Sequence, residues 1–264
     1  MESLSAFSPA ARKQIRGVLF DIDDTLTTEG QLTADAYSAI EQLHNTGLKT
    51  IPITGRPAGW CDHIARMWPV DAVVGENGAF YFRYDHAARR MMRRYVDDDA
   101  TRARHREQLK GIAAEILLAV PGAAIAADQP YRETDLAIDF CEDVAPLQRD
   151  AVEKIETLMR DRGLTAKVSS IHVNGWFGAH DKLSMTRTLM HEVYNIDLDQ
   201  HRAHYVFIGD SPNDEPLFEF FPHAVGVANI RDFATLITRF PAYITQARCG
   251  AGFAELARIL LDER

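Results

Sequence analysis

Three carboxylates follow a short apolar run near the start of the chain. The sequence from Val18 to Thr27 is VLFDIDDTLT, which places Asp21, Asp23 and Asp24 directly after apolar residues. Because side chains alternate along an extended segment, Asp21 and Asp23 are predicted to face one side and Asp24 the other. Two carboxylates about 4 Å apart repel by roughly 4 kcal/mol at an effective dielectric near 20. A cation, a proton or bulk water must relieve this repulsion, and Mg2+ suits hard oxygen ligands of this kind.

Two other structures could carry such an acidic segment. An EF-hand loop also begins Asp-x-Asp, but its sixth and twelfth positions would be Leu26 and Leu32, where that loop needs Gly and Glu. A solvated acidic loop is the second alternative, and it would be the better interpretation if the motif stood alone.

A second acidic motif, FIGDSPND, occurs in the last third of the chain. Asp210 follows an apolar run as Asp21 does, and Asp214 lies four residues later, where a helix is predicted to begin. Taken singly, these residues could equally be helix caps. Ligands of open α/β sheets collect beyond the carboxyl ends of the strands, so two acidic strand ends in one parallel sheet favour a shared Mg2+ site.

Two further segments offer groups that suit a phosphate. In ITGRP, Thr54 ends a predicted strand and Gly55 permits close backbone approach before a helix begins, so hydroxyl and N–H donors can meet phosphate oxygens. Lys182, at the start of another predicted helix, could clamp a phosphoryl group. Alone, the first segment would be a plain strand-to-helix turn and the second an ordinary surface lysine.

These motifs, in the order DxDDT, TGR, Lys and GDxxND, resemble the haloacid dehalogenase-like hydrolase superfamily. The long segment between Thr54 and Lys182 resembles the larger α/β cap of the branch, subfamily IIB, that includes sucrose-phosphate, trehalose-phosphate and mannosylphosphoglycerate phosphatases and phosphomannomutase. The sequence GENGA, Gly75 to Ala79, is also similar to that branch.

The resemblance implies a Mg2+-dependent phosphomonoesterase. Asp21 would attack phosphorus and form an aspartyl-phosphate, while Asp23 would protonate the leaving oxygen and then deprotonate the water that hydrolyses the intermediate. Thr54 and Lys182 would hold the phosphoryl oxygens. The expected metal ligands are Asp21, the Asp23 main-chain carbonyl, Asp210 and Asp214, and the expected substrate-binding residues are Gly55, Arg56, Asn77 and Asn213. One departure is Asp24, where this branch more often has Gly or Asn, and little effect is expected from it.

The substrate is expected to be a small phosphorylated metabolite, such as a sugar phosphate. His172, Asn174, Trp176 and His180 precede Lys182 and suit a sugar, although such residues at a domain junction more often pack or hydrogen-bond structurally. A phosphosugar mutase would share every core motif. A phospho-ligand sensor or switch is the non-enzyme alternative, and Asp23 argues against it because a stable phospho-switch gains nothing from a positioned acid/base.

The order of elements predicts an α/β fold with a doubly wound parallel sheet, Rossmann-like, and an inserted α+β cap domain. Residues 1–83 and 179–264 are expected to form the core and residues 84–178 the cap. Helices are predicted after Thr33, over residues 58–67, from Asp181 to Tyr194, near Asp232 and after Gly252. AKVSSIHV is predicted to be one strand, and about the first fourteen residues are predicted to be a loose tail.

Composition narrows the class of protein. The chain has 264 residues, 46% of them hydrophobic, with a net charge of −9 and three widely spaced cysteines. This acidic balance disfavours a nucleic-acid partner, and the sequence lacks both a signal-peptide pattern and an apolar run of membrane-spanning length. We therefore expect a cytoplasmic monomer or homodimer with no membrane partner.

Overall fold

The structure is a computed structural model that describes residues 1–262. The strands in this range are, in chain order, β1 Glu2–Ser3, β2 Gly17–Phe20, β3 Lys49–Pro52, β4 Val73–Gly75, β5 Phe80–Asp85, β6 Arg90–Tyr95, β7 Ala124–Ile125, β8 Asp135–Asp139, β9 Thr165–Val168, β10 His172–Trp176, β11 Tyr205–Gly209, β12 Val225–Gly226 and β13 Tyr243–Ile244. The α-helices are α1 Pro9–Arg12, α2 Ala34–Asn45, α3 Ala58–Met67, α4 Asp99–Ala119, α5 Arg149–Asp161, α6 Lys182–Tyr194, α7 Leu198–His201, α8 Glu215–Phe220 and α9 Cys249–Leu261.

A parallel sheet forms the centre of the core. Its six strands lie in the order β1-β13-β12-β11-β2-β3, and each neighbouring pair is parallel. The inner strands β2 and β11 are buried along their whole length, as continuous apolar runs in a parallel sheet must be. Pro52, which cannot donate a ladder hydrogen bond, lies on β3 at the end of this sheet, where such a residue is tolerated.

Helices cover both faces of this sheet. On one face, α2, α3 and α9 pack on alternate β2 side chains such as Val18 and Phe20. On the other face, α6 and α8 pack around Leu19 and Phe207. The α/β doubly wound architecture predicted from the sequence is therefore confirmed.

A second layer structure is inserted between α3 and α6. Its four-stranded antiparallel sheet has the order β7-β8-β10-β9. Helices α4 and α5 pack on this sheet through a separate apolar cluster that includes Ile116, Ile155 and Val173. We call this unit the cap. A three-stranded sheet, β4-β5-β6, lies at the start of the insertion.

The prediction of a loose N-terminal tail is wrong. Glu2 and Ser3 pair with Tyr243 and Ile244 of β13, so the first residues form one end of the central sheet. Leu4 and Phe7 are 1% and 0% exposed. The Phe7 ring stacks on Tyr243 with the ring centroids 5.0 Å apart. The short segment is held by these long-range contacts rather than by any local periodicity.

Two element predictions also need correction. The segment AKVSSIHV forms two antiparallel strands, β9 and β10, because the chain turns at Ser169, whose hydroxyl accepts hydrogen bonds from the N–H groups of Ile171 and His172. The helix expected near Asp232 is a 3-10 helix, Ala228–Phe233.

The domain boundaries stay a prediction. Strand β5 runs from Phe80 to Asp85, so the expected start of the cap at residue 84 falls within a strand. Within residues 1–262, no helix is both long and apolar enough to cross a membrane.

Candidate active site

Three carboxylates meet beyond the carboxyl ends of two neighbouring core strands. Asp21 follows β2 and Asp210 follows β11, and the Asp21 N–H donates to the Ile208 carbonyl at 3.0 Å, which keeps the two strand ends in register. Asp214 completes the group from the 3-10 helix after β11. One oxygen from each carboxylate lies within 4.8 Å of the others. All three side chains are buried.

Lys182 lies between two of these carboxylates. Its Nζ donates to Asp21 Oδ1 at 2.8 Å and to Asp214 Oδ1 at 2.7 Å. The lysine is the first residue of α6, where Asp181 caps the helix in a capping box with Ser184. Although burial alone would lower the pKa of Lys182, the two carboxylates raise it. The ammonium is therefore held charged inside the core.

One lysine does not balance three buried carboxylates. Burial raises the pKa of Asp21 to about 7, with Lys182 opposing the shift. Burial, together with Asp21 and Asp214, raises the pKa of Asp210 well above its usual range. Thr25 and Asn229 donate to the Asp210 carboxylate at 3.3 Å and 3.4 Å, which orients its oxygens. A buried, oriented set of oxygen donors with excess negative charge fits a hard divalent cation such as Mg2+.

Asp23 lies outside this cluster and pairs with Arg56. The Arg56 Nε lies 2.9 Å and 3.0 Å from the two Asp23 oxygens, and Nη2 lies 2.8 Å from Oδ1. Arg56 also bonds to two cap carboxylates, Glu142 at 2.8 Å and Asp128 at 3.4 Å. One guanidinium therefore joins the predicted acid/base to the cap.

The TGR segment forms the opposite wall. Thr54 is fully buried, and its hydroxyl accepts a hydrogen bond from the Arg56 N–H at 3.0 Å. A Cβ at Gly55 would lie 3.2 Å from the amide nitrogen of Asn77, so only a glycine fits here without displacing that side chain. The Asn77 side-chain nitrogen is buried and has no hydrogen-bond partner among the described residues. This orphaned donor is the group that a ligand at Gly55 could satisfy.

Glu76, the second residue of GENGA, joins the core to the cap. Its fully buried carboxylate accepts from the Ala58 N–H at 2.8 Å, the Glu133 N–H at 2.9 Å and the Thr134 N–H at 2.7 Å, and the Thr134 hydroxyl also donates to it. The backbone here is unusual, because Glu76, Asn77 and Gly78 have φ values of 41°, 54° and 101°. The glycines of GENGA predicted a turn, but no local pattern predicted that the Glu76 carboxylate would bond to the cap.

The two remaining motif residues have clear local roles. Asp24 has a φ of 55°, a left-handed conformation that Gly and Asn adopt most readily, which explains why Gly or Asn is more usual at this position than the Asp of this chain. Asn213, between Asp210 and Asp214, accepts a hydrogen bond from the Ser211 hydroxyl at 2.7 Å.

The structure also brings in residues that sequence reasoning missed. Arg132, from the cap, donates to the Gly55 carbonyl at 2.9 Å and pairs with Asp128 and Asp135. Glu142 lies 2.9 Å from His172 Nε2, and this contact, together with Arg56, lowers the pKa of Glu142 to about 2. No motif signals these residues, since their partners are distant in sequence.

The four cap residues singled out in the sequence make structural contacts. His172 pairs with Glu142, and Asn174 donates to Asp135 at 3.0 Å. The Trp176 indole donates to the His180 carbonyl at 3.1 Å. His172 and Asn174 also line a cavity of about 20 Å3 that contains Asp21, Asp23 and Arg56, so the cap reaches the site at these two positions.

A family model described as haloacid dehalogenase-like hydrolase matches residues 18–118, which include the DxDDT, TGR and GENGA motifs. Residues 18–118 are therefore similar to the haloacid dehalogenase-like hydrolases. Among curated proteins, no sequence matches this chain significantly.

Solved structures resemble this chain over nearly its whole length. A putative HAD/COF-like hydrolase from Plasmodium vivax has a TM-score of 0.69 at 17% identity and covers 97% of this chain and 99% of its own. The C-terminal domain of trehalose-6-phosphate phosphatase from C. albicans has a TM-score of 0.68 at 14% identity, and the match covers 96% of this chain and 95% of that domain. A subclass IIB sugar phosphatase has a TM-score of 0.58 at 13% identity, covering 88% and 93%. This chain therefore shares the fold of these proteins over both the core and the cap.

Proposed function

We propose that this protein is a Mg2+-dependent phosphomonoesterase that acts through an aspartyl-phosphate on a small phosphorylated metabolite, such as a sugar phosphate. The observation that carries the proposal is the meeting of Asp21, Asp210, Asp214 and Lys182 at one buried point, beyond the ends of β2 and β11. A cluster of carboxylates with one ammonium suits a reaction in which one anion must approach another.

Asp21, Asp210, Asp214 and the main-chain carbonyl of Asp23 would hold the metal. When bound, Mg2+ would supply positive charge that offsets the negative charge of the phosphate oxygens. Lys182 would add a point charge on the transferred group, and Thr54 would donate to it from the other wall. The orphaned Asn77 amide supplies a further donor on that wall.

In the first step, an Asp21 oxygen would form a bond to phosphorus while the bond from phosphorus to the leaving oxygen breaks. Asp23, in its protonated form, would give its proton to that oxygen. In the second step, water would attack phosphorus, Asp23 would take the water proton, and the bond from Asp21 to phosphorus would break. The Arg56 Nε, 2.9 Å and 3.0 Å from the two Asp23 oxygens, would hold this carboxyl group in position for both steps.

The deciding experiment is phosphate release from a panel of phosphorylated metabolites, with Mg2+ and with EDTA, by the wild type and Asp21→Asn. We expect Mg2+-dependent release by the wild type and a loss of at least about 1,000-fold in the variant, whose near-isosteric amide cannot act as a nucleophile. An unchanged far-ultraviolet spectrum and melting temperature show that the variant is folded. A folded Asn variant with wild-type activity would overturn the proposal.

The same panel separates the alternative functions. A phosphosugar mutase would convert a hexose phosphate to its isomer, and a phospho-switch would hold a phosphoryl group on Asp21 without turnover. Release of free phosphate supports the hydrolase.

A further inference from the structure

A cleft of about 540 Å3 opens beside the candidate active site, between the cap and the core. Helix α5 and strand β9 form the cap wall, while α8 and the segment around residues 233–239 form the core wall. Val152, Val168 and Phe233 in this cleft are half-buried, and Leu236 is 41% exposed. The cleft therefore offers apolar surface on both walls.

The cleft adjoins the small cavity that contains Asp21 and Asp23. Ser169 and Asn213 line both, so these two residues form the boundary between them. The small cavity, of about 20 Å3, has room for about one water. Any leaving group must therefore extend beyond this cavity, and the cleft is the larger space at its Ser169 side.

On another side, the small cavity is closed by Arg132. This side chain is 1% exposed and is paired with Asp128 at 2.9 Å and Asp135 at 3.1 Å. It also donates to the Gly55 carbonyl at 2.9 Å. A leaving group that extended past Arg132 would break this buried ion network. Extension past Ser169 therefore costs less free energy.

The charged side chains that line the cleft have ion-pair or hydrogen-bond partners within residues 1–262, except Lys167. Three arginines that line it form ion pairs with glutamates that also line it: Arg149 with Glu153, Arg160 with Glu156, and Arg239 with Glu219. Glu215 accepts hydrogen bonds from the backbone and hydroxyl of Thr238. Lys167 is exposed on β9 and has no hydrogen-bond or ion-pair partner within residues 1–262. It lies two residues from Ser169, which along a strand is about 7 Å.

We propose that this cleft binds the leaving group, and that the substrate is an elongated phosphomonoester with an apolar face next to the ester and an anionic group, such as a carboxylate, further along. The apolar part lies against Val168 and Leu236, and the anionic group pairs with Lys167. The inference rests on the proposed phosphatase function and names the class of substrate for that site.

Three phosphate esters test the cleft: ethyl phosphate, hexyl phosphate and hexyl phosphate with a terminal carboxylate. In the wild type we expect kcat/KM to rise about tenfold from the ethyl to the hexyl ester, because partial burial of four methylenes lowers the free energy of the complex. The carboxylate adds about fivefold, at the upper end of what one exposed ion pair contributes.

Matched variants separate the two parts of the cleft. In Lys167→Gln the preference for the carboxylated ester over the hexyl ester falls about fivefold, and in Leu236→Ser the preference for hexyl over ethyl falls. Lys110→Gln, which removes an exposed lysine of α4 paired with Glu107, serves as the control and leaves both ratios unchanged. If the longer esters react no faster than ethyl phosphate, or neither variant changes a ratio, the proposal is wrong.

Calorimetry distinguishes failure of the cleft from failure of the phosphatase. The three esters are titrated into Asp21→Asn and into the double variant Asp21→Asn/Lys167→Gln. Tighter binding of the carboxylated ester, lost in the double variant, supports the cleft even if the wild type releases no phosphate. Equal affinities for all three esters overturn the cleft even if the wild type is an active phosphatase.

Discussion

Lys182 Nζ lies 2.8 Å from Asp21 Oδ1, although 161 positions separate the two residues in the chain. The same ammonium bonds to Asp214, so it links the end of the first long core strand to the acidic motif after β11. The contact requires the whole cap to be inserted and the chain to return to the core at α6. The predicted nucleophile is thus positioned by the element that follows the cap.

Replacing Lys182 by Gln removes the ammonium that bonds to Asp21 and Asp214, so the three buried carboxylates lose a compensating positive charge. We expect the free energy of unfolding to fall by about 3–5 kcal/mol in EDTA, because removing one partner of a buried ion pair leaves the other charges buried without compensation. Mg2+ should restore more stability to the variant than to the wild type. Thermal unfolding of both proteins, with EDTA and with Mg2+, measures this, and equal stabilisation by Mg2+ would contradict the proposed metal site.

Glu142 makes stability depend on pH in the acid range. Its close contact with His172 and its hydrogen bond from Arg56 lower its pKa from 4.5 to about 2, so the folded state favours the charged carboxylate. The stability that this group contributes is fully present above its unfolded pKa of 4.5 and is lost as the pH falls through about 2. Because the side chain is partly exposed, the contribution is about 1–2 kcal/mol.

The measurement is urea unfolding of the wild type and Glu142→Gln between about pH 6 and pH 3. The difference between the two proteins should shrink as the pH is lowered. Glu153→Gln, which removes an exposed pair on α5, is the control and should differ little from the wild type at any pH. A difference for Glu142→Gln that is constant with pH would show that the carboxylate does not act through its charge.

Glu76→Gln should destabilise the protein by about 2–4 kcal/mol, because the amide nitrogen would face backbone N–H donors that need an acceptor. The three N–H groups that bond to this carboxylate come from both the core and the cap. Chemical denaturation checks the value, with Glu133→Gln as the control because that side chain is 41% exposed. A loss below about 0.5 kcal/mol would show that water replaces these bonds.

Phe7→Ala should cost about 3–4 kcal/mol, as for other large side chains removed from a core. Phe7 is 0% exposed and stacks on His223 and Tyr243, with ring centroids 4.8 Å and 5.0 Å away. Ser5→Ala, in the exposed part of the same segment, should change stability little. If both variants unfold at the wild-type denaturant concentration, the N-terminal segment does not contribute to the core.

The sequence predicted the centre of the site better than its surroundings. Asp21, Asp210 and Lys182 could be placed together because each follows a strand or begins a helix, and such positions are set by local pattern and by the geometry of parallel sheets. Arg132 and Glu142 could not be placed, since their partners Gly55 and Arg56 lie in the core, in the loop between β3 and α3. Contacts between the core and the cap produce no periodic residue pattern in either segment, so the sequence gives no sign of them.

The errors in the fold have similar causes. Strand β1 has two residues, too few to show an alternating pattern. It forms because it pairs with Tyr243 and Ile244 of β13. The turn at Ser169 lacks the Asn-Gly or Asp-Gly pair that signals a tight hairpin, and it is stabilised by that serine's hydroxyl instead. Helices with a strong local apolar pattern, such as α3, were predicted correctly because that pattern lies within the helix itself.

The pairing of Glu2 and Ser3 with Tyr243 and Ile244 sets the order in which the protein can be completed. The ribosome adds roughly 5–20 residues each second, so the first strand waits for its partner for tens of seconds. During that time Leu4 and Phe7 have no finished pocket to enter, and their apolar side chains remain available to chaperones. Strand β1 therefore joins the sheet only after Tyr243 and Ile244 have been made.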